Sequence, residues 1–230
     1  MSEQVTESDK STILIEVWAD LGCPWCYLAK HRLREAVAER GDRDRFEIRI
    51  RSFQLEPNAP QEPEKVERAY LRGHGGTAAD FQQAERQMRV IARNEGLDFS
   101  LDRRNANSFS LHRVLQYATD QGRGLEFFSA VQDGYFAGTL DPYAPGALAE
   151  AGETVGLAGA RIREIVAGSE YADRVLADRA EGPELGATGV PFVVLDRRLA
   201  APGAQKVAVY RRLLEQVAGA APAAQQEQAV

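Results

Sequence analysis

A chain of 230 residues with 44% hydrophobic composition is long enough for one sizeable core, or one core carrying a large insertion. With 34 acidic against 28 basic residues the net charge is −6, and no basic run or stripe appears, which argues against a nucleic-acid partner. No apolar stretch reaches the roughly 20 residues that a bilayer span needs, and the acidic segment Met1–Lys10 lacks the basic and apolar regions of a secretory signal, so the chain reads as cytoplasmic with no membrane partner.

Residues 1–11 read as a flexible lead. Ile13-Leu14-Ile15-Glu16-Val17-Trp18 is apolar on both parities apart from Glu16, the pattern of a buried central strand. After the turn Asp20-Leu21-Gly22, Pro24 opens a helical pattern carried by Cys26, Tyr27, Leu28, Leu33, Ala36 and Val37 and stopped by Gly41. Phe46 to Phe53 alternates apolar Phe46, Ile48 and Ile50 with Glu47, Arg49 and Arg51, a second strand. Pro57, Pro60 and Pro63 then break the chain.

From about Glu64 to Arg179 the signals are helical and no strand is expected. Phe81, Ala84, Met88 and Ile91 recur at helical spacing. Leu111, Val114, Leu115 and Ala118 mark another helix, with Asn107 or Ser108 as its N-cap. Gly122 and Gly124 punctuate, and Leu125, Phe128, Val131, Tyr135 and Phe136 form a third stripe. Further helices follow at 148–155, 158–166 and 171–180. The strand signal returns at Phe192-Val193-Val194-Leu195, directly after Gly189-Val190-Pro191. A turn at Asp196-Arg197 leads to one more strand near Leu199, and Val207 to Val217 closes the chain as a helix. The Ala/Gln-rich segment 219–230 reads as a flexible tail. The fold class is therefore α/β, with 12–60 and 185–218 building one sheet together around an inserted helical domain, 61–184.

Gly22-Cys23-Pro24-Trp25-Cys26 holds both cysteines of the chain. With Cys23 at the N-cap and Pro24 as first helical residue, the sulfur lies beside free backbone N–H groups and the positive end of the helix dipole. That placement favours a thiolate. Cys26, one turn further in, points toward the helix body. Cys23 is thus expected to attack or be attacked, and Cys26 to resolve the mixed disulfide. Pro24 stiffens the ring, and Trp25 caps an exposed sulfur. A zinc site would need two further ligands from His31, His74, His112 or carboxylates without suitable spacing, so no metal is expected. A purely structural disulfide closing so short a loop would constrain the unfolded chain little.

The strand ending in Trp18-Ala19-Asp20, followed by Cys23-Pro24-Trp25-Cys26-Tyr27, resembles the DsbA-type thiol oxidoreductases, specifically their FrnE-like branch. Asn107-Ser108-Phe109-Ser110-Leu111-His112-Arg113 resembles the Asn-Ser/Thr helix start of that branch. Gly189-Val190-Pro191-Phe192 resembles its cis-proline loop, and Pro202-Gly203-Ala204-Gln205 the Gly-Ala-Gln turn before its last helix. The resemblance covers about residues 12 to 218. It implies a thioredoxin-like fold with an all-helical insertion, a cis Val190-Pro191 bond against Cys23, and Val190 free to pair with an incoming substrate strand. It also places Asn107 and His112 toward a substrate cleft between the two parts.

Thioredoxins keep a buried acid six residues before the first cysteine; Val17 stands there in this chain. Glu16 lies on the opposite face of the strand and Asp20 in the turn, and Asp20 is the preferred proton relay to Cys26, against a role confined to shaping the turn. The expected activity is thiol–disulfide exchange, including isomerisation of wrongly paired disulfides. The alternative is a glutathione-dependent small-molecule isomerase or transferase, resembling 2-hydroxychromene-2-carboxylate isomerases and kappa-class glutathione transferases, which carry Ser in place of the first thiol. No cofactor is required; glutathione is the candidate redox partner or co-substrate. The expected partners are protein or small-molecule thiols and disulfides, and the chain itself is expected to be a monomer or homodimer.

Overall fold

Strand β1 (Ile13–Ala19) occupies the interior of a four-stranded sheet in a computed structural model that describes residues 12–219. Its neighbours are β2 (Phe46–Ser52), which is parallel, and β5 (Phe192–Leu195), which is antiparallel. The hairpin partner of β5, β6 (Leu199–Pro202), completes the order β2-β1-β5-β6. A parallel pair requires a crossover, and α1 (Pro24–Ala38) supplies it. The β5–β6 connection is the three-residue turn 196–198, with Asp196 and Arg197 both at positive φ (51° and 52°) and Arg198 N–H donating to the Leu195 carbonyl.

Between β2 and β5 lie seven helices: α2 (Val66–His74), α3 (Ala78–Asn94), α4 (Phe109–Asp120), α5 (Gly124–Ala137), α6 (Ala147–Thr154), α7 (Gly159–Ala167) and α8 (Ala172–Glu184). Helix α9 (Val207–Gly219) packs on α1. The expected helical block is present, with one correction. Two-residue strands β3 (Glu64–Lys65) and β4 (Arg104–Asn105) pair antiparallel inside it, Glu64 opposite Asn105. Elements this short leave no periodicity in the sequence. The tails expected for 1–11 and 219–230 lie outside the described residues, except that Gly219 ends α9.

The two faces of β1 do different work. Ile13, Ile15, Val17 and Ala19 enter the largest apolar cluster, which runs without a break from the sheet through Leu111, Leu115, Phe127, Phe128 and Ile162 of the helices. On the other face stand Glu16 and Trp18. Trp18 is fully buried and donates its Nε1–H to the carbonyl of Asp178 at 2.7 Å. Gly182, one turn further along α8, is required by close approach: a Cβ there would lie 3.0 Å from the Trp18 ring.

Asp178 makes this contact between α8 and the sheet specific. Its Oδ2 accepts from Ser52 N–H at 2.8 Å and from Gln116 Nε2 at 2.6 Å, and its Oδ1 pairs with Arg51 at 3.0 Å. Arg51 and Arg197 both lie over the Trp18 ring and both pair with Glu16 and Glu181. A buried carboxylate removed alone leaves its donors unpaired, which costs about 3–5 kcal/mol. Asp178→Ala is therefore expected to lower the urea midpoint by an equivalent amount with an unchanged denaturant slope, measured by circular dichroism.

Candidate active site

The chain leaves β1 at Asp20, turns through Leu21 and Gly22, and enters α1 with Cys23 as its N-cap (φ −80°, ψ 111°) and Pro24 as the first helical residue. Proline suits this position because its missing N–H would be unpaired there in any case. The Cys23 Sγ accepts the backbone N–H of Cys26 at 3.4 Å. On its other side the Cys23 thiol donates to the carbonyl of Val190 at 3.8 Å. The Val190-Pro191 peptide bond is cis, and the Pro191 carbonyl accepts from Gly203 N–H at 2.8 Å, which ties the loop to the end of β6.

Both cysteines are free thiols. Cys26 is 1% exposed, and burial, together with the adjacent Cys23 sulfur, pushes its thiol pKa well up. Cys23 is 5% exposed as a residue, so, contrary to the expectation from sequence, it is not open to bulk solvent: it lies in the wall of a cavity beside Val190, while Trp25 stands 47% exposed next to it. Further along α1, Lys30 is buried and pairs with Asp133 of α5 at 2.6 Å. Burial lowers its pKa to about 8 against the opposing pull of Asp133.

Asp20 is the second centre of the site. Its Oδ1 accepts from Leu21 N–H at 2.8 Å and faces His112 Nε2 at 3.1 Å, while its Oδ2 accepts from Leu55 N–H at 2.8 Å. Burial alone would raise its pKa, but the His112 contact and the hydrogen bonds from Leu55 and Ser108 outweigh burial and hold the carboxyl below its usual range. Gln132 of α5 donates to the carbonyls of Asp20 and Leu21 at 3.4 and 3.2 Å, fixing the turn from below.

The other sequence candidates fall differently. Val17 is apolar core, and Glu16 is held by Arg51 and Arg197 on the far face of β1, away from the thiols. His112 is fully buried against Asp20, and Asn107 caps the start of α4 through Phe109 N–H while its amide holds the carbonyl of Pro57. Neither lines the cleft to which the resemblance assigned them; their neighbours Asn105, Ala106 and Ser108 do. That cleft is a cavity of about 580 Å³ with Cys23, Pro24, Trp25 and Val190 in its wall. Leu55, Ser108 and Gln132 were missed by sequence reasoning. Leu55 acts through its backbone, and Gln132 sits on the buried face of α5 with Phe128, Val131 and Tyr135, where a buried amide is the one signal that could have drawn notice.

A dithiol at a helix start, opposite a proline loop at the end of an antiparallel strand, defines a thioredoxin-fold redox site. The family model described as DSBA-like thioredoxin domain matches residues 14–215, and the chain belongs to that DsbA-like thiol–disulfide oxidoreductase family. A probable DsbA oxidoreductase from Streptomyces coelicolor is 34% identical, each chain covered over 92% of its length, with a TM-score of 0.84. The fold is shared with a 2-hydroxychromene-2-carboxylate isomerase (15% identity, 89% of this chain and 96% of that one, TM-score 0.67). It is also shared with the cytosolic disulfide reductase DsbM from Pseudomonas aeruginosa, solved with GSH (16% identity, 89% and 98% covered, TM-score 0.62). No curated protein matches the chain.

The Asp20 interactions have a pH signature. Its folded pKa lies below the unfolded value, so its stabilising contribution is complete above the ordinary carboxylate pKa and is lost as pH falls toward the folded value. Urea midpoints measured from neutral pH down through the acid range should fall more steeply for the wild type than for Asp20→Asn, whose side chain does not titrate.

Proposed function

We propose that the chain is a thiol–disulfide oxidoreductase in which Cys23 is the nucleophile and Cys26 the resolving thiol. The observation that carries this reading is the position of the Cys23 sulfur, between the Cys26 N–H at the helix start and the Val190 carbonyl. In the reductive direction the Cys23 thiolate attacks one sulfur of a substrate disulfide, the S–S bond breaks, and the departing thiolate takes a proton. Cys26 then attacks the Cys23 sulfur, releases the second substrate thiol, and leaves a Cys23–Cys26 disulfide that an external dithiol or glutathione reduces again.

Attack by Cys26 requires its proton to leave, and burial opposes that. Asp20 with His112 is the proposed acceptor, replacing the acid that is absent at Val17. In this reading residues 12–60 and 185–218 form the redox frame, and the insertion 61–184 holds the substrate against Trp25, Val190 and Pro191. The CPWC segment and the Asn107-Ser108 helix start support the FrnE-like branch. The cytosolic, GSH-bound DsbM neighbour supports a reducing cytoplasmic setting with glutathione as redox partner. A glutathione-dependent isomerase or transferase shares the fold, but it gives Cys26 no task.

Insulin reduction driven by dithiothreitol tests the assignment. Cys23→Ser should abolish it while circular dichroism remains native, and retained activity would refute the mechanism. Cys26→Ser should accumulate mixed disulfides visible by mass spectrometry of the intact protein. Asp20→Asn and His112→Gln should each slow the resolving step by about tenfold or more at neutral pH, within the usual reach of general-base catalysis. A base acting on Cys26 also requires that this loss shrink as pH rises; an equal loss at every pH would point to a structural role.

A further inference from the structure

The apolar stripe of α3 does two things: Met88 and Ile91 pack with Tyr27, Phe99 and Phe136 in a buried cluster, and the same stripe faces open space. Phe81, Ala84, Met88 and Ile91 all line the cavity into which Cys23 opens, although their spacing is that of an ordinary packing face. Val66, Ala69 and Tyr70 of α2 close the cavity from the adjoining side. Its volume, about 580 Å³, lies inside the roughly 300–1,000 Å³ typical of small-molecule sites, which are likewise mostly apolar with a few polar groups.

The charges in the wall are informative. Arg103 is its one Lys or Arg among the described residues, and that guanidinium is already committed. It pairs with Glu85, donates to the Ser100 carbonyl at 2.7 Å, and stacks on the Phe99 and Phe136 rings at 4.4 and 4.8 Å. Asp20, Glu56 and Glu85 also line the cavity but are held by His112, Arg72 and Arg103, and the lining His74 faces the Tyr70 carbonyl at 3.2 Å, so the wall offers an anion no uncommitted Lys or Arg. Its remaining polar groups near Cys23 are neutral: Asn105, Ser108 and Tyr143, whose hydroxyl burial keeps protonated.

We propose that the cavity binds a small, uncharged organic disulfide with an aromatic body, and presents one of its sulfurs to Cys23. This deepens the oxidoreductase reading and rests on Cys23 as nucleophile. The aromatic groups occupy the α3 stripe and the α2 wall. The Cys23 thiolate attacks the nearer sulfur, the S–S bond breaks, one substrate thiolate leaves and takes a proton, and Cys26 releases the second thiol by attacking Cys23. The substrate gains two electrons, the protein keeps the Cys23–Cys26 disulfide, and a dithiol reductant restores it. Glutathione disulfide, with its several carboxylates, fits this wall poorly.

Dibenzyl disulfide and its redox-inert analogue dibenzyl sulfide test the proposal separately from the chemistry. The sulfide should bind the wild type with one-to-one stoichiometry by calorimetry and inhibit reduction of dibenzyl disulfide competitively. Ala84→Phe, or Ile91→Trp should the first variant not fold, should weaken sulfide binding by about tenfold or more. With dithiothreitol as reductant, kcat/KM for dibenzyl disulfide should exceed that for glutathione disulfide by at least about tenfold, each corrected for its uncatalysed rate. No sulfide binding, or a preference for glutathione disulfide, overturns the proposal. Displacement by an unfolded cysteine-containing peptide but not by the sulfide overturns it in favour of a polypeptide substrate. If Cys23→Ser binds the sulfide normally and still turns over disulfide, the redox reading fails while the cavity assignment stands.

Discussion

One carboxylate holds the redox site together. Asp20 accepts from Leu21 in the turn before the thiols, from Leu55 in the chain leaving β2, and from His112 on α4. These three donors belong to three separate stretches of chain, and each would be an unpaired buried polar group if the carboxylate were absent. The position of Cys23, the path of the chain leaving β2 and the seating of the helical segment are therefore fixed by the same atoms.

The opposite face of β1 solves a different problem. Trp18 buries its large ring only if something covers it, and α8 does so through the Asp178 carbonyl and the close approach allowed by Gly182. Glu16, whose burial would be costly alone, is neutralised there by Arg51 and Arg197. The strand thus separates its two acids: Glu16 closes the fold on one side, and Asp20, just past the strand end, ties the turn before the thiols to His112. An acid at the Val17 position would instead break the large apolar cluster that Val17 now joins.

The α3 stripe shows how a correct reading of periodicity stops short of its use. A helix with Phe81, Ala84, Met88 and Ile91 on one face must turn that face away from water, and the sequence says nothing about what meets it. Here it faces a cavity shared with Cys23 and Trp25. The pairing of Arg103 with Glu85 joins α3 to the segment just before β4, a contact that neither stretch of sequence signals.

The elements themselves were legible because their causes are local. Pro24 sets φ for a first helical turn, so Cys23 at the N-cap followed from the chain alone; β1 announced its central place by being apolar on both faces. The hairpin after Leu195 was readable from its turn, and the cis Val190-Pro191 bond and its place against Cys23 were carried by family resemblance. The β3–β4 ladder, two residues on each side, left no pattern to read. His112 was singled out, yet its role was misplaced: it reaches Asp20 across 92 residues of chain, and a lone histidine beside Arg113 carries no sign of the carboxylate it will meet. The sequence by itself determined the dithiol, its helix start and the order of strands and helices, since each depends on neighbours within a few residues. The tertiary structure alone decided which acid lies beside His112 and the turn before the thiols, how deeply Cys23 is buried and what the insertion encloses, since these depend on distances between segments that local propensity does not encode.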